Sequence, residues 1–343
     1  MFKTLLGFDL GSKNTRIAVK NGCFTEPTLL AFGAGRKNGS ASVGGSARYE
    51  EFGRVSPIKN GCCVSEKLLA LMLSEFAKNF CGRGSYRRVK LHIALNKTMP
   101  FQRVRAFEKA AEAAGFCGIK ALEKSLMGAL GAGMDPGADR AGLIVDIGAQ
   151  TVCCAAVGFG GIICECSESF GSELADRAIQ NYFAAAHRVQ IGARMAELIK
   201  QNLHRLAFTV DGRSLEDGLP RSVKTDAGNL REAALGSMRS IVAFTSDMLA
   251  LLQPEVCADA LESGIVLIGG GAKMHGLSEL FESELGLRTR AAENAETAAA
   301  EGMRRYLFSE HGIGRERLLY ELASLPEETL LAEDRAWEGK LSV

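Results

Sequence analysis

Leu5–Gly22, LLGFDLGSKNTRIAVKNG, is the stretch on which the reading of this 343-residue chain turns. An apolar run (Leu5, Leu6, Phe8) ends at Asp9, a small polar turn follows through Gly11, Ser12, Lys13 and Asn14, and a second apolar run (Ile17, Ala18, Val19) begins at once. That order predicts strand, tight turn, strand: a β-hairpin with an acid at the end of its first strand. The turn offers backbone N–H groups, hydroxyls and an amide to an anion. Asp9 is placed to hold a hydrated Mg²⁺ near phosphates. Alone, the same residues read equally as an ordinary Asp-x-Gly turn.

The rest of the chain changes that balance. Gly142–Thr151, GLIVDIGAQT, repeats the design, with Asp146 standing 137 positions after Asp9, and strands follow at Val152–Val157 and Gly161–Cys166. Two such hairpins facing each other would grip a triphosphate from both sides. A third element, Gly264–Lys273 (GIVLIGGGAK), reads as strand, glycine turn and helix start. Glycines there let the backbone lie against a ligand, beside the free N–H groups of a helix N-terminus.

Composition narrows the class. Length suits two domains sharing an interface. Lys and Arg number 41 against 40 Asp and Glu, so no basic excess points to nucleic acid. At 47% apolar residues the chain has enough for a sizeable core. Its ten cysteines include adjacent pairs (Cys62-Cys63, Cys153-Cys154) and Cys164-x-Cys166, without metal-ligand spacing. Reduced, buried thiols in a cytoplasmic protein are the expectation, and a zinc or redox site the alternative. No secretory signal or transmembrane run is read, which again places the chain in the cytoplasm.

Between the motifs, strands are expected at Thr28–Phe32, Val89–Leu95 (with His92 on its polar side) and Ile119–Leu122, and short ones at Phe208–Val210 and Ser222–Lys224 around an Asp211-Gly212-Arg213 loop. Helices are expected over Ser65–Phe80, Pro100–Ala114, Ser125–Gly133, Gly171–Ala186, Arg194–Leu203, Leu230–Leu252 and Thr297–Phe308. Pro136–Arg140 reads as a linker. A charged tail, 309–343, holds the single tryptophan and a leucine series (Leu318, Leu319, Leu322, Leu325) suited to docking on the chain itself or on a partner.

The three elements in this order resemble the actin/Hsp70/sugar-kinase ATPase superfamily, with phosphate 1 at Asp9–Thr15, phosphate 2 at Asp146–Thr151 and the adenosine glycines at Gly269–Gly271. Within it the chain is most similar to the MreB family of rod-shape-determining bacterial actin homologues. FDLGSKNTRIAVKNG with Glu26-Pro27-Thr28, FGSELADRAI (170–179), IGARMAELIK (191–200) and SGIVLIGGGAKMHGL (263–277) carry that likeness, which spans residues 5 to 308. The resemblance implies a duplicated α/β fold of the actin-like (ribonuclease H-like) type, two lobes around a nucleotide cleft. Its implied boundaries are lobe I at 1–139 with 297–308 packing back on it, lobe II at 140–296 and a tail extension at 309–343. It implies ATP and Mg²⁺ as cofactors. Ser12, Lys13 and Asn14 would sit against the phosphates, Asp9 and Asp146 around Mg²⁺ through water, and Thr151 on the γ-phosphate side. Glu197 and Lys200 would touch ribose and base, and Gly270, Gly271, Ala272 and Lys273 would line the adenosine end.

The chain also departs from that family. Where relatives carry Glu-Glu-Pro, with the second glutamate positioning the attacking water, it has Glu123-Lys124-Ser125. An ammonium cannot take a proton from water, though it can pair with a γ-phosphate. Phosphate 2 reads Gly148-Ala149-Gln150-Thr151 in place of a glycine run, which restricts positive φ, and Cys153 replaces an acid. Impaired hydrolysis is one reading; a working ATPase with Glu123 or Gln150 orienting water is the other. The functional expectation is an ATP-binding filament protein of cell shape and cell-wall synthesis. It would partner with itself and with membrane-associated machinery. The alternatives are a non-polymerising scaffold of the same superfamily and, ranked last, a small-molecule kinase. Basic Ser85-Tyr86-Arg87-Arg88 suggests at most weak electrostatic contact with anionic lipid.

Overall fold

The computed structural model describes residues 5–32, 41–50, 53–81 and 89–309. The 82–88 and 310–343 segments, on which the lipid-contact and tail expectations fall, lie outside the described residues. The chain divides into two units: residues up to Gly137 together with those from Thr297, and Ala138–Glu296.

In the first unit, β1 (Leu5–Leu10) is the central strand of five. It pairs antiparallel with β2 (Asn14–Val19), which pairs antiparallel with β3 (Gly22–Pro27). On its other edge β1 runs parallel to β4 (Lys90–Leu95), itself parallel to β5 (Ile119–Glu123), giving the order β5-β4-β1-β2-β3. Leu6, Phe8 and Leu10, spaced by two, point to one face. They join Leu69, Met72 and Phe76 of α1 (Glu66–Cys81) and Val104, Phe107 and Ala111 of α2 (Phe101–Ala114) in one apolar cluster. Ser65 accepts the Leu68 N–H at 3.4 Å, the expected start of α1. The left-handed Gly115 (φ 91°) closes α2 by donating to Ala111 and Glu112.

The second unit repeats the topology. Strand β6 (Gly142–Ile147) is central, antiparallel to β7 (Val152–Gly158), which is antiparallel to β8 (Gly161–Glu168). A hairpin, β9 (Ala207–Ser214) and β10 (Pro220–Asp226), forms a separate small sheet with Val189–Gln190. Strands β11 (Ile265–Ile268) and β12 (Thr289–Ala291) complete the order β8-β7-β6-β11-β12 by parallel pairing. Both main sheets are therefore an antiparallel three-strand meander extended by two parallel strands on the far side of the first strand.

The helices are α3 (Lys124–Gly131) in the first unit, then α4 (Glu173–His187), α5 (Ala193–Gln201), α6 (Ala227–Leu249), α7 (Pro254–Ser263) and α8 (Leu277–Leu285) in the second. The chain then returns to the first unit as α9 (Ala298–Phe308). There Met303 and Leu307 pack at 3.3 Å from where a Gly7 side chain would stand, so β1 is covered on both faces. Helices α3 and α9 touch backbone to backbone: a Cβ on Gly131 would overlap the Ala298 carbonyl, and one on Gly302 the Met127 carbonyl.

Several expectations are corrected. The third strand is Gly22–Pro27, and Thr28–Phe32 contributes only the two-residue strand Leu30–Ala31. His92 is buried, not on a polar side, because β4 lies between neighbours and is covered on both faces. Asp211-Gly212-Arg213 is strand, paired to Ser222, Arg221 and Pro220, and the turn lies beyond Ser214. Gly212 is there for close approach: a Cβ would overlap Val189 of the adjacent strand. Helix α7 was not anticipated; Pro254 sits at its first turn, where proline is tolerated.

Candidate nucleotide site

The first hairpin is built around its turn. Gly11 donates to the Asn14 carbonyl (3.1 Å), Thr28 N–H donates to Lys13 O (2.9 Å), Thr28 Oγ1 to Gly11 O (2.6 Å) and Ser56 Oγ to Ser12 O (3.3 Å). All four turn carbonyls thus accept from the protein itself. Their negative ends are satisfied inward and do not oppose an anion at the turn. The Ser12 hydroxyl accepts from Gly61 N–H at 3.4 Å, which fixes the turn to the loop after the Ile58–Lys59 strand. Thr28, whose hydroxyl also pairs with Thr15 Oγ1 at 2.8 Å, was not singled out in sequence. Its signal was the Pro27-Thr28 step itself.

Below this turn Asp9 is buried and doubly ion-paired. Arg16, directly across the β1–β2 pair, places Nη1 3.4 Å from Oδ2, and Lys124, the first residue of α3, places Nζ 3.3 Å from Oδ1. Burial opposes the charged form of Asp9, but Lys124 and then Arg16 outweigh it and hold the carboxyl below its ordinary value. Arg16 was missed; in-register pairing from a two-residue count would have put it opposite Asp9. Glu123, ending β5, stands 3.9 Å from Lys97 Nζ.

The second hairpin uses the same device with different residues. Gly148 donates to Thr151 O at 2.9 Å, while the Gly148 and Ala149 carbonyls accept from the Ser172 and Glu173 N–H groups, each at 2.9 Å. The turn is thereby docked on the start of α4, and Gly171 allows it, since a Cβ there would stand 2.7 Å from Gly148 O. Neither Gly148, Ala149 nor Gln150 has positive φ. The expected backbone restriction from losing glycines therefore does not arise: this turn needs no left-handed residue. Gln150 Nε2 donates to both Glu173 oxygens at 3.2 Å. Asp146 faces Cys153 across its strand pair.

The glycine turn lies against the same strand end. Gly269, at φ 84°, donates to Ala295 O (2.7 Å), and a Cβ on it would overlap both the Asp146 carboxylate and the Ile147 carbonyl. The expected helix start is one 3₁₀ turn, Gly270–Lys273. Gly271 and Ala272 are buried, Gly270 is open, and Lys273 is 3.5 Å from Glu296. On α5, Glu197 is half-buried, whereas Lys200 is buried with its ammonium 2.9 Å from Asp176 and donating to Ser172 O at 3.1 Å.

Burial of the cysteines was expected, but only Cys153 and Cys154 are buried; Cys117 is exposed and the other seven are half-buried. All ten are free thiols, and burial pushes Cys154 up to about 12 and Cys23 and Cys166 up to about 11. No group of metal-holding side chains occurs among the described residues, and none of their helices is long and apolar enough to cross a membrane.

Mg²⁺, which the sequence resemblance places on Asp9 and Asp146, does not fit Asp9 as the side chains stand. A hydrated dication needs carboxylate lone pairs and negative charge. Both Asp9 oxygens already face cations, Oδ2 that of Arg16 and Oδ1 that of Lys124.

Comparison with known proteins gives the family and the fold. The family model for MreB/Mbl protein matches residues 3–313. The cell shape-determining protein MreB of Escherichia coli is 30% identical over 88% of this chain and 92% of its own length. Mbl of Bacillus subtilis, also a cell shape-determining protein, is 27% identical over 88% and 95%. Among solved structures, MreB5 of Spiroplasma citri bound to AMPPNP superposes with TM-score 0.83 at 23% identity, covering 90% of this chain and 96% of that one. A MamK double helical filament gives TM-score 0.73 at 19% identity, over 89% and 98%. The fold is the actin-like one.

Proposed function

The chain belongs to the MreB/Mbl family, and on that premise we propose that it is an actin-like, ATP-binding cytoskeletal protein that assembles with copies of itself and takes part in determining cell shape. The observation that carries the reading is the first turn, whose four carbonyls are tied inward above a cationic floor. That arrangement favours phosphate. In the first unit Ser12, Lys13 and Asn14 are assigned to phosphate, and in the second unit Thr151 is. Glu197, Gly270 and Lys273 contact the nucleoside, Gly271 and Ala272 shape the turn beneath it, and Lys200 holds α5 to the start of α4. The solved relative bound to AMPPNP supports a nucleotide ligand, and the relative in a double helical filament supports self-assembly. Membrane-associated cell-wall machinery is the partner class that a cell-shape role implies.

Hydrolysis is weak on this reading. Lys124 is turned onto Asp9, Glu123 lies beside Lys97, and Gln150 is held by Glu173. Neither Glu123 nor Gln150 stands as a general base prepared for water. Sedimentation and electron microscopy of the purified full chain, with ATP or AMPPNP across concentration, test the reading. Filaments above a critical concentration are expected. Monomers at every concentration would leave the non-polymerising scaffold as the better account.

A further inference from the structure

We infer that Thr28 is the positioning residue of the first turn: its N–H and its hydroxyl hold two turn carbonyls from one side and thereby aim the Ser12 and Asn14 amides at the phosphates of a bound nucleotide. The inference rests on the nucleotide-binding reading above and deepens it at the same site.

The place of Thr28 follows from the strand before it. β3 stays in register with β2 as far as the Asn14–Pro27 pair. Proline has no N–H to give. The next donor beside the turn is therefore Thr28 N–H, which reaches Lys13 O at 2.9 Å. Thr28 Oγ1 donates to Gly11 O at 2.6 Å. A hydroxyl carries one proton, so the other contact of that oxygen, with Thr15 Oγ1 at 2.8 Å, has Thr15 as its donor. The result is a directed chain from Thr15 through Thr28 to the Gly11 carbonyl, in which each bond polarises the next. Thr15 is fully buried and Thr28 is 2% exposed, so water does not compete for either hydroxyl.

Peptide geometry turns these bonds into a direction for two amides. No peptide bond among the described residues is cis, and in a planar trans peptide the N–H points away from the C=O. Gly11 O shares its peptide with Ser12 N–H, and Lys13 O shares its peptide with Asn14 N–H. Thr28 takes both carbonyls, so both N–H groups face the opposite side of the turn. N–H groups gathered on one side of a turn make an anion-binding concavity. Glycine at position 11, where a Cβ would stand 2.6 Å from Asn14 O, leaves the Gly11–Ser12 peptide free to roll. The Thr28 hydroxyl holds it. Without that hydroxyl, Gly11 O and the Thr15 hydroxyl lose their partner, and rolling the peptide toward water relieves the carbonyl while carrying Ser12 N–H off the phosphate side.

The test is competition against a fluorescent ATP analogue on the purified full chain in millimolar Mg²⁺, with ATP and unphosphorylated adenosine as competitors. Thr28→Val keeps the N–H and the branched shape and removes the hydroxyl. It is expected to weaken ATP about tenfold and adenosine by less than about twofold, because the phosphates alone meet the turn. Thr28→Ser restores the hydroxyl and should bind ATP within about threefold of the unaltered chain. Thr28→Ala, which crowds nothing, is expected to repeat the loss and carries the test if the valine variant does not fold; melting curves check each variant. ATP affinity unchanged in the valine and alanine variants would overturn the inference while leaving nucleotide binding intact. So would an equal loss for ATP and adenosine, which marks general damage, or a serine variant as weak as the valine one. No saturable binding of the analogue by the unaltered chain would remove the nucleotide reading and this inference together.

Discussion

Asp9 and Asp146 end corresponding strands of two sheets with the same order, and each is followed by a turn whose carbonyls are tied back into the protein. What stands opposite them differs. Across the strand pair Asp9 meets Arg16 and Asp146 meets Cys153. The helix that follows β5 begins with Lys124 on Asp9, whereas the helix after β8 begins with Glu173, which holds Gln150. One topology thus carries two electrostatic designs, a cation-floored turn in the first unit and an amide–carboxylate turn in the second. Backbone pairing alone does not make a phosphate site; the residue in register with the acid sets its charge.

Changes that erase the difference should have graded effects. The largest is expected from Asp9→Ala, which removes the acid that faces two partly buried cations and should lower unfolding free energy by about 3 kcal/mol. Urea unfolding of the full chain reads it. Gly269→Ala comes next. It forces a side chain into a left-handed position and into the Asp146 carboxylate, with an expected loss of about 2–3 kcal/mol. It should weaken nucleotide binding as well, by displacing Asp146.

Acid distinguishes two buried groups of the first unit. Burial holds His92 neutral, with its value down to about 4 from 6.5. The unfolded chain therefore binds this proton first. The stabilisation is fully present above about 6.5 and drains away as pH falls toward 4, in all about 3 kcal/mol. Asp9 loses its contribution in the same direction but in a lower window. Its depressed carboxyl contributes fully above the ordinary value of 3.8, and that contribution is lost only as pH falls through its lower folded value. His92 thus contributes a loss of stability between pH 6.5 and 4. His92→Leu should flatten the stability–pH curve in that interval, as measured by urea midpoints.

The smallest effect is expected from Gln150→Ala, which removes a part-buried hydrogen bond pair to Glu173 worth about 1 kcal/mol. On this account it leaves the hydrolysis rate unchanged. A further drop in hydrolysis would show that Gln150 orients water after all.

Much of this was legible in the chain. The apolar run before Asp9, its repeat before Asp146 and the glycines after Ile268 mark three strand ends, because strand burial and tight turns leave local signatures. The caps at Ser65 and Gly115 were equally local. What sequence periodicity misread depended on neighbours distant in the chain. His92 is buried only because β1 and β5 flank its strand. Gly212 resembles a turn glycine because a neighbouring strand excludes its side chain. Lys124 stood out as an odd residue, but its meaning lies in an ion pair to Asp9, 115 positions away. Long-range charge pairing has no sequence period, and the Ala149-Gln150 substitution looked more disruptive than it is because φ cannot be read from composition.

The central claim is that this chain binds ATP through its first hairpin and turns it over poorly. The most direct measurement is the identity of the nucleotide on the protein. The chain is saturated with ATP and Mg²⁺, freed of excess, incubated for an hour, quenched and its bound nucleotide separated chromatographically. Recovery of mostly intact ATP is the result the account predicts. Quantitative conversion to ADP would contradict it.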